Sequence, residues 1–180
     1  MNMLNEKHED MNINIEVDVQ YASAEANLPN KKTLSHWINV AFSCIPLEQT
    51  GDLPCKILPQ RQVEMTIRLV DETEGTQLNE TWRGGVGPTN VLSFPFECPP
   101  GVDMPLLGDI IICAPLVARE ATKQNKSLSA HWTHLVIHGT LHLLGYDHIE
   151  ESQAQLMENL EIRILHDLGY SNPYHIIEPL

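Results

Sequence analysis

The chain has 180 residues, 42% of them hydrophobic, and a formal net charge of −13. That length suits one domain with one core, and the apolar share excludes a disordered chain. No apolar run approaches the roughly 20 residues of a membrane span, and the surplus of carboxylates argues against nonspecific nucleic-acid binding, which draws on Lys and Arg.

Residues 1–11 read as a polar, acidic extension, and residues 12–180 as a single domain. The start lacks the basic and apolar regions of a signal peptide, so a cytoplasmic location with no membrane partner is expected. Ile13, Ile15, Val17 and Val19 alternate with polar residues at the period of a half-buried strand. After a loop around Pro29, Leu34, Trp37, Ile38, Ala41 and Phe42 fall at helical spacing. Pro46, Gly51, Pro54 and Pro59 make residues 45–60 a long loop or insertion. Val63, Met65, Ile67 and Leu69 alternate as a second strand.

Asp71 with Glu74 three residues on predicts a capping box for a helix running to about Trp82 and stopping at Gly84-Gly85. Thr89–Phe96 reads as a strand whose Pro95 places it at an edge. Leu106–Cys113 is a strand, almost continuously apolar apart from Gly108 and Asp109, and a helix follows from about Pro115 to Gln124. Ser127 or Ser129 caps a helix that runs to about Leu144. Asp147 and Glu150 predict a second capping box, for a last helix that buries Leu156, Met157, Leu160, Ile164 and Leu168 and ends at Gly169. The order predicts an α+β domain, a small mixed four-stranded sheet packed with about five helices.

Chemistry concentrates late in the chain. His131, His134, His138 and His142 share one helix stripe, and His148 follows shortly after. Residues four apart lie about 5–6 Å apart on one helix face, so His138 and His142 can bind one ion. Gly145 can end the helix in the left-handed conformation and turn His148 toward the same ion. About 16 Å of helical rise separates His131 from His142, which excludes a shared ion. Three neutral nitrogen ligands with a fourth position open suit a catalytic zinc site on a helix and the turn after it, and other divalent metals fit the same donors.

The spacing HxxxHxxGxxH is also that of metzincin peptidases, which carry Glu directly after the first histidine as general base. Here that position is Gly139, which cannot move a proton. Its plain role is close helix packing. His131 and His134 either line the cleft, pack against a carboxylate, contact substrate phosphate or support a ligand histidine. Asp147 reads as a helix cap, an acceptor for a ligand histidine or a base. Asp109, in an apolar strand, calls for a partner, with a ligand histidine as one candidate.

Arg119, Lys123 and Lys126 precede the histidine helix, while acidic residues gather at 6–18, 71–80 and 150–161. An acidic protein could thus hold a basic groove beside its metal. Cys44, Cys55, Cys98 and Cys113 are widely spaced, form no CxxC pair, and are expected to be reduced and partly buried.

The run His138–His148 resembles the YbeY family of bacterial metal-dependent endoribonucleases, also called rRNA maturation factors. Arg83-Gly84 followed by Pro88-Thr-Asn-Val-Leu-Ser-Phe-Pro-Phe96 is similar to the family's second signature, and Leu107-Gly-Asp-Ile-Ile111 to its third. The extension at 1–11 and the loop at 45–60 depart from the family's usual length. The resemblance implies a single-strand-preferring, zinc-dependent endoribonuclease acting in 16S rRNA maturation and ribosome quality control. It implies zinc on His138, His142 and His148, and a functional role in the cleft for Arg83. It also implies an rRNA precursor as substrate and the small ribosomal subunit, a ribosomal protein and an Era-type GTPase as partners.

Arg83 suits phosphate, because guanidinium binds it in two-pronged fashion; the alternative is a helix-end salt bridge with Glu80. Thr89, Asn90 and Ser93 either position substrate or cap a turn. Phe94 and Phe96 either stack bases or pack the core. Two other function classes stand beside the nuclease: a peptidase or amidohydrolase on a metzincin-like cage, and a ribosome-assembly binding factor with structural zinc.

Overall fold

The computed structural model describes residues 13–46, 62–102 and 104–175. The extension at 1–11 and most of the loop at 45–60, with Cys55, lie outside the described residues. Among the described residues four strands and five helices follow in the order β1 (Asn14–Ala22), α1 (Lys31–Cys44), β2 (Gln62–Val70), α2 (Glu72–Arg83), β3 (Val91–Pro95), β4 (Leu106–Cys113), α3 (Ala114–Lys123), α4 (Leu128–Leu143) and α5 (Glu151–Asp167).

The strands form one mixed sheet in the order β1-β2-β4-β3. β1 and β4 run parallel to β2, and β3 runs antiparallel to β4 at the edge. Edge placement accommodates Pro95, which has no N–H for a ladder. Register puts Val17 opposite Met65, and Asp18, Thr66, Asp109 and Phe94 in one row across all four strands. Side chains alternate between faces along each strand. One face therefore carries Val17, Met65, Ile67, Ile110 and Ile112, and packs with Leu34, Ile38, Val136, Ile137, Leu141 and Ile164 of the helices into the main core. The other face holds a smaller cluster of Val70, Leu92, Ile111 and Cys113, flanked by Leu78 of α2 and Leu116 of α3.

α4 is central and has Trp132, Leu135, Val136, Ile137, Thr140, Leu141 and Leu143 buried, so it is wrapped on nearly all sides. Gly139 permits its close approach to the sheet: a Cβ there would meet Ile110 Cγ2 at 3.0 Å and Ser93 Oγ at 3.2 Å. The packing role read from the sequence holds.

Two helix starts differ from the sequence reading. Asp71 precedes α2, but its carboxylate accepts from Ser23 Oγ and the Ala24 amide, and Glu74 pairs with Arg68 at 2.7 Å. A tertiary partner thus displaces the local capping box. α5 begins after Glu150 with no side-chain cap, and Asp147 accepts instead from the His148 amide at 2.6 Å. Ser127 rather than Ser129 caps α4, accepting from the Ala130 amide. Cys44 and Cys113 are buried, Cys98 is half-buried, and all three are free thiols. Among the described residues no helix is long and apolar enough to cross a membrane.

Candidate metal centre

α4 brings His138 and His142 onto adjacent turns, with Nε2 of each 3.1 Å from the other. The helix then ends in a Schellman turn: the Gly145 amide donates to His142 O and the Tyr146 amide to Leu141 O. Gly145 takes φ +89°, the left-handed conformation this turn needs. The chain reverses and sets the His148 ring 4.9 Å from that of His142 and 5.7 Å from that of His138, centroid to centroid. Asp147 holds this turn through its contact with the His148 amide.

The other nitrogen of each helical histidine is occupied. His138 Nδ1 lies 2.6 Å from Glu161 Oε1, and His142 Nδ1 lies 3.0 Å from the Tyr146 carbonyl. A neutral imidazole has one N–H; given to these acceptors, it leaves both Nε2 lone pairs facing one another. Such an arrangement calls for a cation between them. Two nitrogens bound to zinc at about 2.0–2.1 Å in tetrahedral geometry sit about 3.3 Å apart, close to the 3.1 Å between these two atoms. Burial, and then the neighbouring His138 and His148, push His142 below the usual imidazole range, which keeps it neutral and able to ligate. The donor set therefore fits one divalent ion, which His138, His142 and His148 could hold.

Glu161 of α5 is the residue that sequence reasoning missed. It is 1% exposed, and Tyr174 Oη donates to its second oxygen. Burial pushes its carboxyl up, but the His134 and His138 imidazoles and the Tyr174 hydroxyl outweigh this and hold it at about 2. His134 stands beside this carboxylate, its Nε2 3.6 Å away and outside hydrogen-bond range, with its ring edge-on to His138 and Tyr174. The place proposed for Asp109 beside a ligand histidine is thus filled by Glu161. Asp109 is exposed on the opposite sheet face, in a groove with Glu16, Asp18, Glu64 and Glu97.

Arg83 reaches the histidines from the end of α2, over the edge strand β3. Its guanidinium donates to Ser93 O at 3.2 Å and lines a cleft with Asn90, His138, His142 and His148. Among the described residues Arg83 has no ion pair, so the salt bridge to Glu80 is not formed. Arg119 instead pairs with Glu72, and Lys126 donates to Pro173 O. Neither they nor Lys123 line the clefts that hold the histidines; Arg83 is the cation there among the described residues.

Asn90 also lines the cleft, its amide donating to Glu120, which in turn meets His131 Nε2 at 2.8 Å. His131 is 4% exposed and belongs to this buried link. Ser93 Oγ donates to Gly139 O, which ties β3 to α4. Phe94 packs on the smaller core cluster and edge-on to Trp82, and Phe96 packs against the main core. Both phenylalanines follow the packing reading.

The chain is similar to the solution structure of TM1509 from Thermotoga maritima, with 22% identity, a TM-score of 0.46, and coverage of 88% of this chain and 99% of that one. The family model described as Endoribonuclease YbeY matches residues 26–169, which contain Arg83, the β3 and β4 segments and His138, His142 and His148. The chain belongs to the YbeY endoribonuclease family, whose work is rRNA maturation.

Proposed function

We propose that this protein is a zinc-dependent, single-strand-preferring endoribonuclease that acts on 16S rRNA precursors and in ribosome quality control in the cytoplasm. The observation that carries the reading is the meeting of three convergent imidazoles with an unpaired arginine in one cleft. When bound to the three histidines, a divalent ion supplies Lewis acidity and a nucleophile from water at neutral pH.

The remaining work falls to the chain's own groups. Arg83 is anchored at Ser93 O through one nitrogen and keeps other N–H groups for a phosphoryl oxygen. That contact neutralises charge that grows on the phosphate during cleavage. Asn90, steadied by Glu120, and Thr89 lie along the same wall and can orient the strand. The fixed carbonyl and carboxylate behind the histidines keep both rings in ligand orientation. Gly139 supplies no proton acceptor, which disfavours the peptidase reading. The small ribosomal subunit, a ribosomal protein and an Era-type GTPase are the partners this function calls for.

The test is one set of assays on zinc-loaded protein with single-stranded RNA, casein and an H142A control. RNA cleavage that H142A abolishes is expected, with casein intact. Cleavage of casein and not RNA would overturn the reading. The products report the route: a 2′,3′-cyclic phosphate marks attack by the RNA 2′-hydroxyl and overturns direct attack by water.

A further inference from the structure

Glu161 and Tyr174 lie outside the histidine motif and outside the cleft, yet they touch the site from behind. Glu161 projects from the middle of α5 into the interior, where an unpartnered carboxylate is costly. Both of its oxygens are used. Oε1 faces His138 Nδ1 at 2.6 Å, and Oε2 accepts from Tyr174 Oη. Tyr174 belongs to the segment beyond α5, which turns back after Gly169 so that the Tyr174 ring lies edge-on to His134 at 5.5 Å.

Two arrangements bring His134, His138 and Glu161 this close. One is a second cation site, since one donor atom from each lies within 4.8 Å of the others. The other is a hydrogen-bonded buttress. The distance decides between them. Two ligands on one cation at about 2.0–2.2 Å keep about 3 Å or more between them, whereas 2.6 Å between His138 Nδ1 and Glu161 Oε1 is a charge-assisted hydrogen bond. His134 Nε2, at 3.6 Å, takes no part in it.

We propose that Glu161 and Tyr174 are positioning residues for the metal centre: Glu161 fixes His138 with its proton on Nδ1 and its Nε2 toward the cage, and Tyr174 holds the Glu161 carboxylate in place. The C-terminal turn after α5 is then part of the metal site's construction. The inference rests on the reading of His138, His142 and His148 as the ligand set. It divides the histidines: His142 is oriented by the backbone of its own turn, while His138 depends on a carboxylate 23 residues further along the chain.

The experiment measures zinc itself rather than turnover. Metal-free full-length protein is titrated with zinc against a chromophoric chelator, and ¹⁵N-detected histidine NMR reads the tautomer of His138 without metal. Wild type is expected to bind one zinc per chain and to show His138 with Nδ1 protonated. E161Q is expected to weaken zinc about ten- to a hundred-fold, and E161A to shift His138 away from the Nδ1–H tautomer. Y174F is expected to weaken zinc by a smaller factor, and to do so without moving the His142 signals. Wild type that binds no zinc overturns the metal reading and the inference together. Wild type that binds one zinc, with unchanged affinity in E161Q, overturns the positioning role alone. So does a second zinc that E161Q removes, or a wild-type His138 protonated on Nε2, a result that needs no variant to fold.

Discussion

The two faces of the sheet differ in what they carry. One face holds the main core and presents the histidines of α4 at the edge near β3. The other face is covered by α2 and α3 toward Val70 and Cys113 and is open toward the other end, where Glu16, Asp18, Glu64, Glu97 and Asp109 line a groove. Five carboxylates are thereby kept on the face opposite the cleft in which Arg83 and the histidines meet. Arg83 starts from the acidic side and crosses β3 to reach them. An overall charge of −13 thus says little about the field at the site. A phosphate approaching the histidine cleft meets a guanidinium, and one approaching the opposite groove meets five carboxylates.

Substitutions on the two faces should separate accordingly. H142A should abolish RNA cleavage and zinc retention together, checked by turnover and metal content. R83A should lower kcat by about a hundred- to a thousand-fold while leaving zinc bound, the range for loss of one charge-stabilising donor; R83K should recover part of it, because it keeps the charge and loses the two-pronged geometry. An R83A enzyme of wild-type rate would remove the phosphate role from this cleft.

G139A tests the packing that sets the cleft against β3. Its methyl would meet Ile110 and Ser93 at 3.0–3.2 Å, so a loss of about 1–3 kcal/mol is expected in chemical denaturation. The pH dependence of stability tests the link from His131 to Asn90. Burial, the largest influence, lowers the His131 pKa, and Glu120 opposes it only in part. The folded state therefore favours the neutral ring. The stability this confers is complete above the unfolded value of about 6.5 and is lost as pH falls below it toward the lowered folded value. H131Q keeps a donor for Glu120 and does not titrate, so its stability should fall less steeply between pH 6.5 and pH 5. The smallest effect belongs to the open face: D109N should change stability by less than about 0.5 kcal/mol and leave zinc affinity unchanged. A large loss of zinc in D109N would break the contrast between the faces.

Much of this architecture was legible in the residues. Alternation in β1 and β2, the apolar run of β4 and the helical spacing of α1 and α5 each follow from burial on one face, a property of neighbours in sequence. The same holds for His138, His142 and the turn at Gly145, because helix pitch and a left-handed glycine gather the three histidines within eleven residues. The capping box at Asp71 failed for the converse reason, and the one at Asp147 for a local one. Asp71 has a partner that local spacing does not reveal, Ser23, whereas Asp147 turns to the adjacent His148 amide and α5 begins only after Glu150. Asp109 looked like a buried acid because its neighbours are apolar, but register with Thr66 and Phe94 puts it on the open face.

By itself the sequence determined the histidine cluster, since every part of it is local. Only the tertiary structure decided what stands behind and across from that cluster. Glu161 stands four residues after Met157 and three before Ile164, on the apolar stripe of α5, so its spacing signals burial, but no spacing names the partner it meets there. Its contact with His138 exists because α5 packs on α4 and turns one carboxylate toward that ring. Arg83 likewise has no sequence relation to the histidines, and meets them only because β3 is an edge strand over which the end of α2 can reach. Contacts made across separate elements depend on how the layers stack, and no periodicity within one element encodes that.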